Sequence, residues 1–506
     1  MAKMPHGMSR YDVFLKECLH NSGMSGPPLP QVFGYLMDRN ELTGNLDLQS
    51  IVDAFDDLVE SMRVCKVEDG PAEAGQTFFG QFVDHDITLD ATSSIGTHTD
   101  PATIRNVRTP NLDLDCVYGD GPEATPHLYS PDQEGFLLFG RKDNPNDLAR
   151  NCKGRALIGD PRNDENVLVS QIQGAFIKLH NILMSKVESD PCLRADIEGC
   201  AEGGVRADVW SNMIPEGLER FEKVRRFIRL HYQWLVLHDL LPAFVDQACI
   251  DAALKTDPFG SDAPLMPAEF SVAAYRFGHA TVQPTYAISA KQPKVKLFDM
   301  AGFGPRSSAW DMDMPLFFGD GAQRALPVGP NMADSLFALP PNIVNKELTW
   351  GNVTIPVERA RKLGLRNILR DRSAIQVRSG QQVARFLGLP ELAPPKELAD
   401  AHISKTPLWF YCLQEAGECG QGKLTGVGGT IVASVFARLL KLDMESVYHI
   451  HDFKPWHGFG EKRFSMAALM TYVDENLESI EYPEKLYCGP AHLADEASGP
   501  TSIAAE

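Results

Sequence analysis

The chain has 506 residues, 43% hydrophobic, 9% aromatic and 23% charged, a composition that sustains a sizeable buried core and excludes disorder over most of its length. Its 48 basic and 67 acidic residues leave a net charge of -19, which argues against nucleic acid or an anionic membrane surface and favours small molecules as partners. The ten cysteines show no repeated CxxC spacing, so they indicate neither zinc nor a disulfide lattice, and reduced thiols that fill the core are expected.

The amino terminus, MAKMPHGMSRYDVFLKE, offers no apolar run or small-residue cleavage site, so maturation without cleavage is expected, in the cytoplasm or after export without a classical signal peptide. The longest nearly uncharged apolar stretch, LTGVGGTIVASVFA at 424–437, falls short of the roughly 18 residues that a membrane span needs.

In chain order, PAEAGQTFFGQFVDHD at 71–86 predicts a helix, with Pro71 suited to a first turn and Phe78/Phe82 and Phe79/Val83 paired four apart. SQIQGAFIKLHNIL (170–183) and GLERFEKVRRFIRLHYQWLVLHDLLPAF (217–244) carry apolar residues at helical spacing and predict buried amphipathic helices. PAEFSVAAYRFGHATV (267–282) and TIVASVFARLLKL (430–442) predict two more, and strand alternation is confined to short pieces such as GNVTIPVERA. No repeat or clear linker interrupts the pattern. The expected architecture is mainly α: an arm over 1–30, one large domain of packed helices over 31–489, and a loose polar tail over 490–506.

Three segments offer chemistry. If 77–86 is helical, Gln81, Asp84 and His85 stand at i, i+3 and i+4 and share one face, while Asp86 points elsewhere. Taken alone, the Asp-His-Asp run suits a general base, a cation site or a wet turn equally well. In GDPRNDENVLVSQ (159–171) Arg162 and Glu165 are three apart, and so are Arg276 and His279 in AAYRFGHATV, where Gly278 leaves room for something flat to approach the backbone. Each pair by itself reads as an ordinary surface or core pair; the combination is what points to a site. In RTPNLDLDCVYGDGP (108–122), Thr109, Asn111, Asp113 and Asp115 alternate, a spacing that could turn oxygen ligands inward for a hard cation, with Asp86 as an outside donor. A solvated acidic turn is the equal alternative.

These pieces together, GQFVDHD, TPNLDLDCVYG, GDPRNDE, FIKLHN, YQWLVLHDLLP, YRFGHATV and PLWFYCLQEA…GVGGTIVASVF, resemble in content and order the animal-type haem peroxidases of the peroxidase-cyclooxygenase superfamily, over about residues 75–440. The resemblance implies haem b as cofactor, calcium as a bound ion, and hydrogen peroxide with a small electron donor as substrates. It makes His85 the distal histidine, Gln81 its neighbour, Arg162 the distal arginine and His279 the proximal ligand of the haem iron. Asp84 and Glu165 match the carboxylates that form ester bonds to haem methyl groups in mammalian members, and Arg276 matches an arginine near a haem propionate. Asp86, Thr109, Asn111 through its carbonyl, Asp113 and Asp115 match the calcium site.

Those roles agree with the chemistry of the residue types. An imidazole can take a proton from peroxide and return it to the departing oxygen, and a permanently cationic guanidinium stabilises charge that develops as the O–O bond breaks. The chain also departs from the family's pattern. Asn166 stands where the sulfonium haem link of myeloperoxidase needs a methionine. The family's RDHGLPxYN, whose asparagine bonds the axial histidine, is replaced by RDRSAIQVRSGQ at 370–381.

Two rivals remain from the sequence: a fatty-acid dioxygenase, whose radical tyrosine lies three residues before the proximal histidine where this chain has Arg276, and a non-catalytic haem- or calcium-binding adhesion module. A dinucleotide site at GVGGT lacks the preceding buried strand it requires, and a glycine-rich helix start packed against a neighbour is the better reading there.

Overall fold

A computed structural model describes residues 33–38, 47–63, 68–88, 111–202, 218–260, 263–460 and 463–480. Helix α1 (Leu48–Ser61) starts where the Asp47 carboxylate accepts from the Ser50 N–H, and it buries Val52, Phe55, Leu58 and Val59 on one side. Helix α2 (Ala74–Ile87) follows, and its core stripe of Phe79, Phe82 and Val83 ends at Asp86, all four fully enclosed. Helix α3 (Val167–Lys186) is capped by Asn166, whose side-chain oxygen accepts from Leu168 and Val169 N–H at 3.1 and 2.9 Å. It is buried on nearly every side and runs through the interior. Helix α4 (Glu219–Leu235) continues through a wide π turn at Val236–Leu240 into Leu241–Phe244.

One aromatic cluster locks α2, α3 and α4 together. Phe82 stacks on Phe176 at 5.1 Å, and Tyr232 meets Phe176 edge-on at 5.7 Å and Phe79 at 6.2 Å. Burying a phenylalanine completely stabilises a fold by about 1.5–3 kcal/mol relative to leaving it exposed, so this cluster fixes how α2 sits.

Helices α5 (Gln247–Lys255), α6 (Leu363–Leu369), α7 (Leu408–Glu418) and α8 (Gly426–Leu442) complete the domain, with α8 packed against both α5 and α7. The glycines of GVGGT open α8, as its packing demands. A Cβ on Gly428 would lie 3.0 Å from the Cys412 Cβ, and one on Gly429 would lie 2.8 Å from the Cys249 sulfur. The Gly428 N–H donates to the Glu415 carboxyl at 3.2 Å, a group that burial pushes up to about 7. This is a tightly packed helix start with no strand before it.

Strands are minor. Among the described residues they form three two-stranded pairs: β1 (Phe33–Gly34) parallel to β2 (Met266–Pro267), β3 (Thr285–Tyr286) against β4 (Val295–Lys296), and the hairpin of β5 (Leu348–Trp350) with β6 (Val353–Ile355), of which β6 lies within the alternating stretch noted above and β5 just before it. The fold is mainly α. No described helix is long and apolar enough to cross a membrane, and the seven described cysteines are all free thiols.

Residues 267–282 differ from the expected helix. A π turn at Glu269–Ala273 passes into a 3₁₀ stretch at Ala274–Ala280, with Ala273 at φ -128° and ψ -77° between them. Apolar residues three and four apart do not separate windings of 3.0, 3.6 and 4.4 residues per turn over so short a span, so the sequence pattern could not distinguish them.

Candidate active site

The aromatic stripe of α2 faces the core, so its opposite side, Gly80, Gln81 and Asp84, is left partly open. The Gln81 amide donates to the Glu165 carboxylate, and its oxygen accepts from Asn166 Nδ2 at 3.2 Å. Asn166, where the sequence lacks a methionine, thus caps α3 and braces Gln81 at once. Asp84 Oδ1 accepts from the Thr88 hydroxyl at 3.1 Å. His85 is 5% exposed and its Nδ1 lies 2.8 Å from Asn163 Oδ1.

The His279 segment is pinned to α2 at two points that flank the histidine. The Thr77 and Thr281 hydroxyls share a hydrogen bond of 2.9 Å, and the Tyr275 hydroxyl donates to the Gly80 carbonyl at 3.2 Å. His279 Nδ1 lies 2.9 Å from the side-chain amide of Asn367 on α6, outside every motif stretch and three residues before the 370–381 segment that lacked the expected asparagine. Burial, with Arg276 and Arg370 nearby, pushes His279 down to about 3, so the ring is neutral at any working pH. Arg276 Nε donates to the Ser271 carbonyl at 3.1 Å, and the Arg276 carbonyl accepts from the Trp409 indole at 3.2 Å. In a 3₁₀ stretch residues three apart eclipse, so Arg276 and His279 stay on one face while Tyr275 sits a third of a turn away.

Arg162 lies at the C-terminal end of α2. Its guanidinium is paired with the buried Asp160 at 2.8 Å, and it donates to the His85 carbonyl at 3.1 Å and to the Thr88 carbonyl. It therefore satisfies orphan carbonyls at the C-terminus of α2, where a cation also suits the helix dipole, and it touches the backbone of His85 rather than the imidazole.

Asp86 turns away from the open side and is fully buried. It accepts from Leu114 N–H at 3.2 Å, Cys116 N–H at 3.4 Å and the Tyr232 hydroxyl at 3.0 Å. Its carboxylate, with those of Asp113 and Asp115, offers oxygens that all lie within 4.8 Å of one another. The loop is not extended through this point as the alternation suggested. Leu114 takes a left-handed conformation at φ 61°, and Asp115 begins a helical turn, Asp115–Tyr118. A left-handed leucine costs about 1–2 kcal/mol, and it is held because its N–H reaches Asp86. Gly159 lets the next segment close on this loop, since a Cβ there would stand 2.3 Å from the Asp115 carbonyl oxygen. Asn111 belongs to the same loop, and Thr109 lies outside the described residues.

A sequence model described as animal haem peroxidase matches residues 93–402, more than half of the chain. The chain belongs to the animal haem peroxidase family. The matched span of this family member contains Arg162, Glu165, Arg276 and His279, whereas the α2 residues precede it. Among solved structures, peroxidase A from Dictyostelium discoideum superposes with a TM-score of 0.57 at 15% identity, covering 88% of this chain and 93% of that one. A variant of the Oryza sativa fatty acid alpha-dioxygenase with palmitic acid gives 0.52 at 16% identity, covering 87% and 78%. These distant likenesses share the fold. Comparison with curated protein sequences returns no match.

The residues of this haem peroxidase-family chain suit the family's cofactor. A ligand histidine must be neutral, and His279 is; a Cβ on Gly278, its neighbour in the chain, would meet nothing within 4 Å, so the backbone there leaves room for a flat group to approach. Arg276 and Arg370 are the cations nearest in effect to the His279 ring and would suit the propionates of such a group. Asn367 can turn its amide oxygen to the ring, accept the Nδ1 proton and leave Nε2 its lone pair. Asn367→Leu is expected to weaken haem retention about 10-fold or more, as loss of a ligand's hydrogen-bond partner does. The haem-to-protein ratio after gel filtration measures it, and an unchanged ratio would show that Asn367 does not restrain the ligand.

Proposed function

We propose that the protein is a haem-dependent peroxidase that reduces hydrogen peroxide and oxidises a small donor, a halide, thiocyanate or phenol. Each peroxide takes up two electrons, in the end from the donor, and two protons, and leaves as two waters. The haem, when bound through His279, supplies the redox centre that passes those electrons. The chain's own part is to move protons and steady charge: His85 takes the peroxide proton on Nε2 and returns it to the departing oxygen. Gln81 borders the same space. Arg162 lies beside it and would act after its guanidinium leaves Asp160. Asp84 and Glu165 stand on the open side of α2, where carboxylates could form ester bonds to haem methyl groups, and Asp86, Asn111, Asp113 and Asp115, with Thr109, form the proposed calcium site.

The observation that carries this reading is the pairing of one helix face bearing Gln81, Asp84 and His85 with a neutral His279, the two elements tied together on both sides of that histidine. A fatty-acid dioxygenase is the second reading, favoured by the likeness to the rice enzyme and by the Tyr275 hydroxyl reaching the open side of α2. Against it, Arg276 and not Tyr275 shares a face with His279. Purified haem-loaded protein is expected to oxidise iodide or a phenol only when peroxide is supplied. Oxygen uptake with palmitic or linoleic acid in the absence of peroxide would transfer the assignment to the dioxygenase.

A further inference from the structure

His85 is the end of a chain of three buried hydrogen bonds. Its Nδ1 meets Asn163 Oδ1 at 2.8 Å, Asn163 Nδ2 donates to Gln173 Oε1 at 2.8 Å, and Gln173 Nε2 donates to the Cys116 carbonyl at 3.1 Å. Asn163 and Gln173 are both 0% exposed, so neither can substitute water for a missing partner.

The direction of every bond follows from the last one. A backbone carbonyl only accepts, so the Gln173 amide nitrogen must face Cys116 and its oxygen must face Asn163. That oxygen also only accepts, so the Asn163 nitrogen faces Gln173 and its oxygen faces His85. An oxygen facing Nδ1 requires the proton to be on Nδ1. In the neutral ring Nε2 is then the bare acceptor. The far end is anchored as well. The Cys116 N–H donates to Asp86, and the Asp160 N–H donates to the same Cys116 carbonyl at 3.2 Å, so the acceptor that sets the polarity is held from two directions.

We infer that Asn163 and Gln173 are positioning residues that hold His85 in the tautomer with Nδ1 protonated and Nε2 ready to accept a proton, with the Cys116 carbonyl fixing the polarity of the relay. The inference rests on the peroxidase reading for its use, and neither residue touches a substrate. Its physical content is narrow. An imidazole free to swap tautomers or swing about χ2 would present a proton donor to peroxide part of the time, and the relay removes that state. A side chain at position 163 without an acceptor oxygen would not keep it.

The test compares Asn163→Leu, Asn163→Asp, Gln173→Leu and His85→Ala, each loaded with haem, by stopped flow. Two rates are read: association of cyanide, followed as the Soret shift, and reaction with hydrogen peroxide. Hydrogen cyanide must surrender its proton on binding, so its association reports the base without any turnover. Asn163→Leu is expected to slow both rates about 30-fold, a part of the roughly 10²–10⁴ that a positioned acid–base group contributes, with haem content unchanged. Asn163→Asp keeps an acceptor for Nδ1 and should recover both rates to within about threefold, and Gln173→Leu should lose about threefold to tenfold. If His85→Ala slows both rates and Asn163→Leu leaves both within about twofold of the wild type, the relay is overturned and the peroxidase reading stands. If His85→Ala itself changes neither, the peroxidase reading is what fails. Should Asn163→Leu not accumulate as folded protein, Gln173→Leu decides, and rates equal to those of the wild type overturn the proposal.

Discussion

Replacing His85 by alanine is expected to slow the reaction with hydrogen peroxide by about 10²–10⁴-fold, the range over which a positioned general acid–base group acts. Haem binding should persist, because His85 lies on α2 and the ligand histidine belongs to a different segment, braced by Asn367. Stability should fall by about 1–3 kcal/mol, because removing the imidazole leaves the buried Asn163 oxygen without its partner, while the core stripe of α2 is still carried by Phe79, Phe82 and Val83. The deciding measurement is the second-order rate constant at matched haem content. A value within a factor of about three of the wild type would leave proton transfer by His85 without support.

Chelation is expected to have the second-largest effect, and one that depends on pH. Burial raises the Asp86 carboxyl from 3.8 to about 6, against the opposing help of the Cys116 thiol, the Leu114 N–H and the Tyr232 hydroxyl. Without a cation, this folded-state value above the unfolded one means that the group's contribution to stability is present below about pH 4 and is lost as pH rises through 6. A bound divalent ion favours the carboxylate and reverses that sign. Ion and proton compete for Asp86, so apparent affinity should fall about tenfold for each pH unit below 6. At pH 8, with ion at about a hundredfold excess over its dissociation constant, binding stabilises by about 2.7 kcal/mol, and a chelator removes that amount. Thermal unfolding with and without chelator at pH 5 and pH 8 gives the comparison. Equal shifts at both values, or none at either, would remove Asp86 from any cation site, and Asp86→Asn should abolish the difference between them.

Much of the site's outline could be read from the sequence because it follows helical periodicity. Gln81, Asp84 and His85 share a side of α2 and Asp86 leaves it because each residue advances about 100°. The buried interior of α3 and α4 was equally plain from apolar spacing. What escaped were groups whose meaning depends on partners far away in the chain. Asn367 is 88 residues from His279 and three before the 370–381 segment, and only folding shows that its amide meets the ring. Asn163 is 78 residues from His85. Gln173 did leave a trace, a polar residue at a core position inside SQIQGAFIKLHNIL, the kind of exception that a buried network produces. The rotamer of Arg162 is likewise invisible in residue type and motif order, since Asp160 two residues earlier competes for its guanidinium. The winding at 269–280 was lost for the reason that short spans hide their period.

That winding sets a rule for how this stretch of chain can vary. Glu269–Ala273 holds an extra residue in its turn and Ala274–Ala280 is wound tighter than an α-helix, so the angle at which His279 leaves the backbone is a running total over both. A point substitution leaves the total intact. Loss or gain of one residue changes it by about 100° and carries the imidazole, Arg276 and the Tyr275 hydroxyl to new bearings together, while Thr77 and Gly80 on α2 stay where they are. Between the two tethers to α2, chain length is therefore under tighter constraint than residue identity, and the segment tolerates exchange of side chains far better than insertion or deletion.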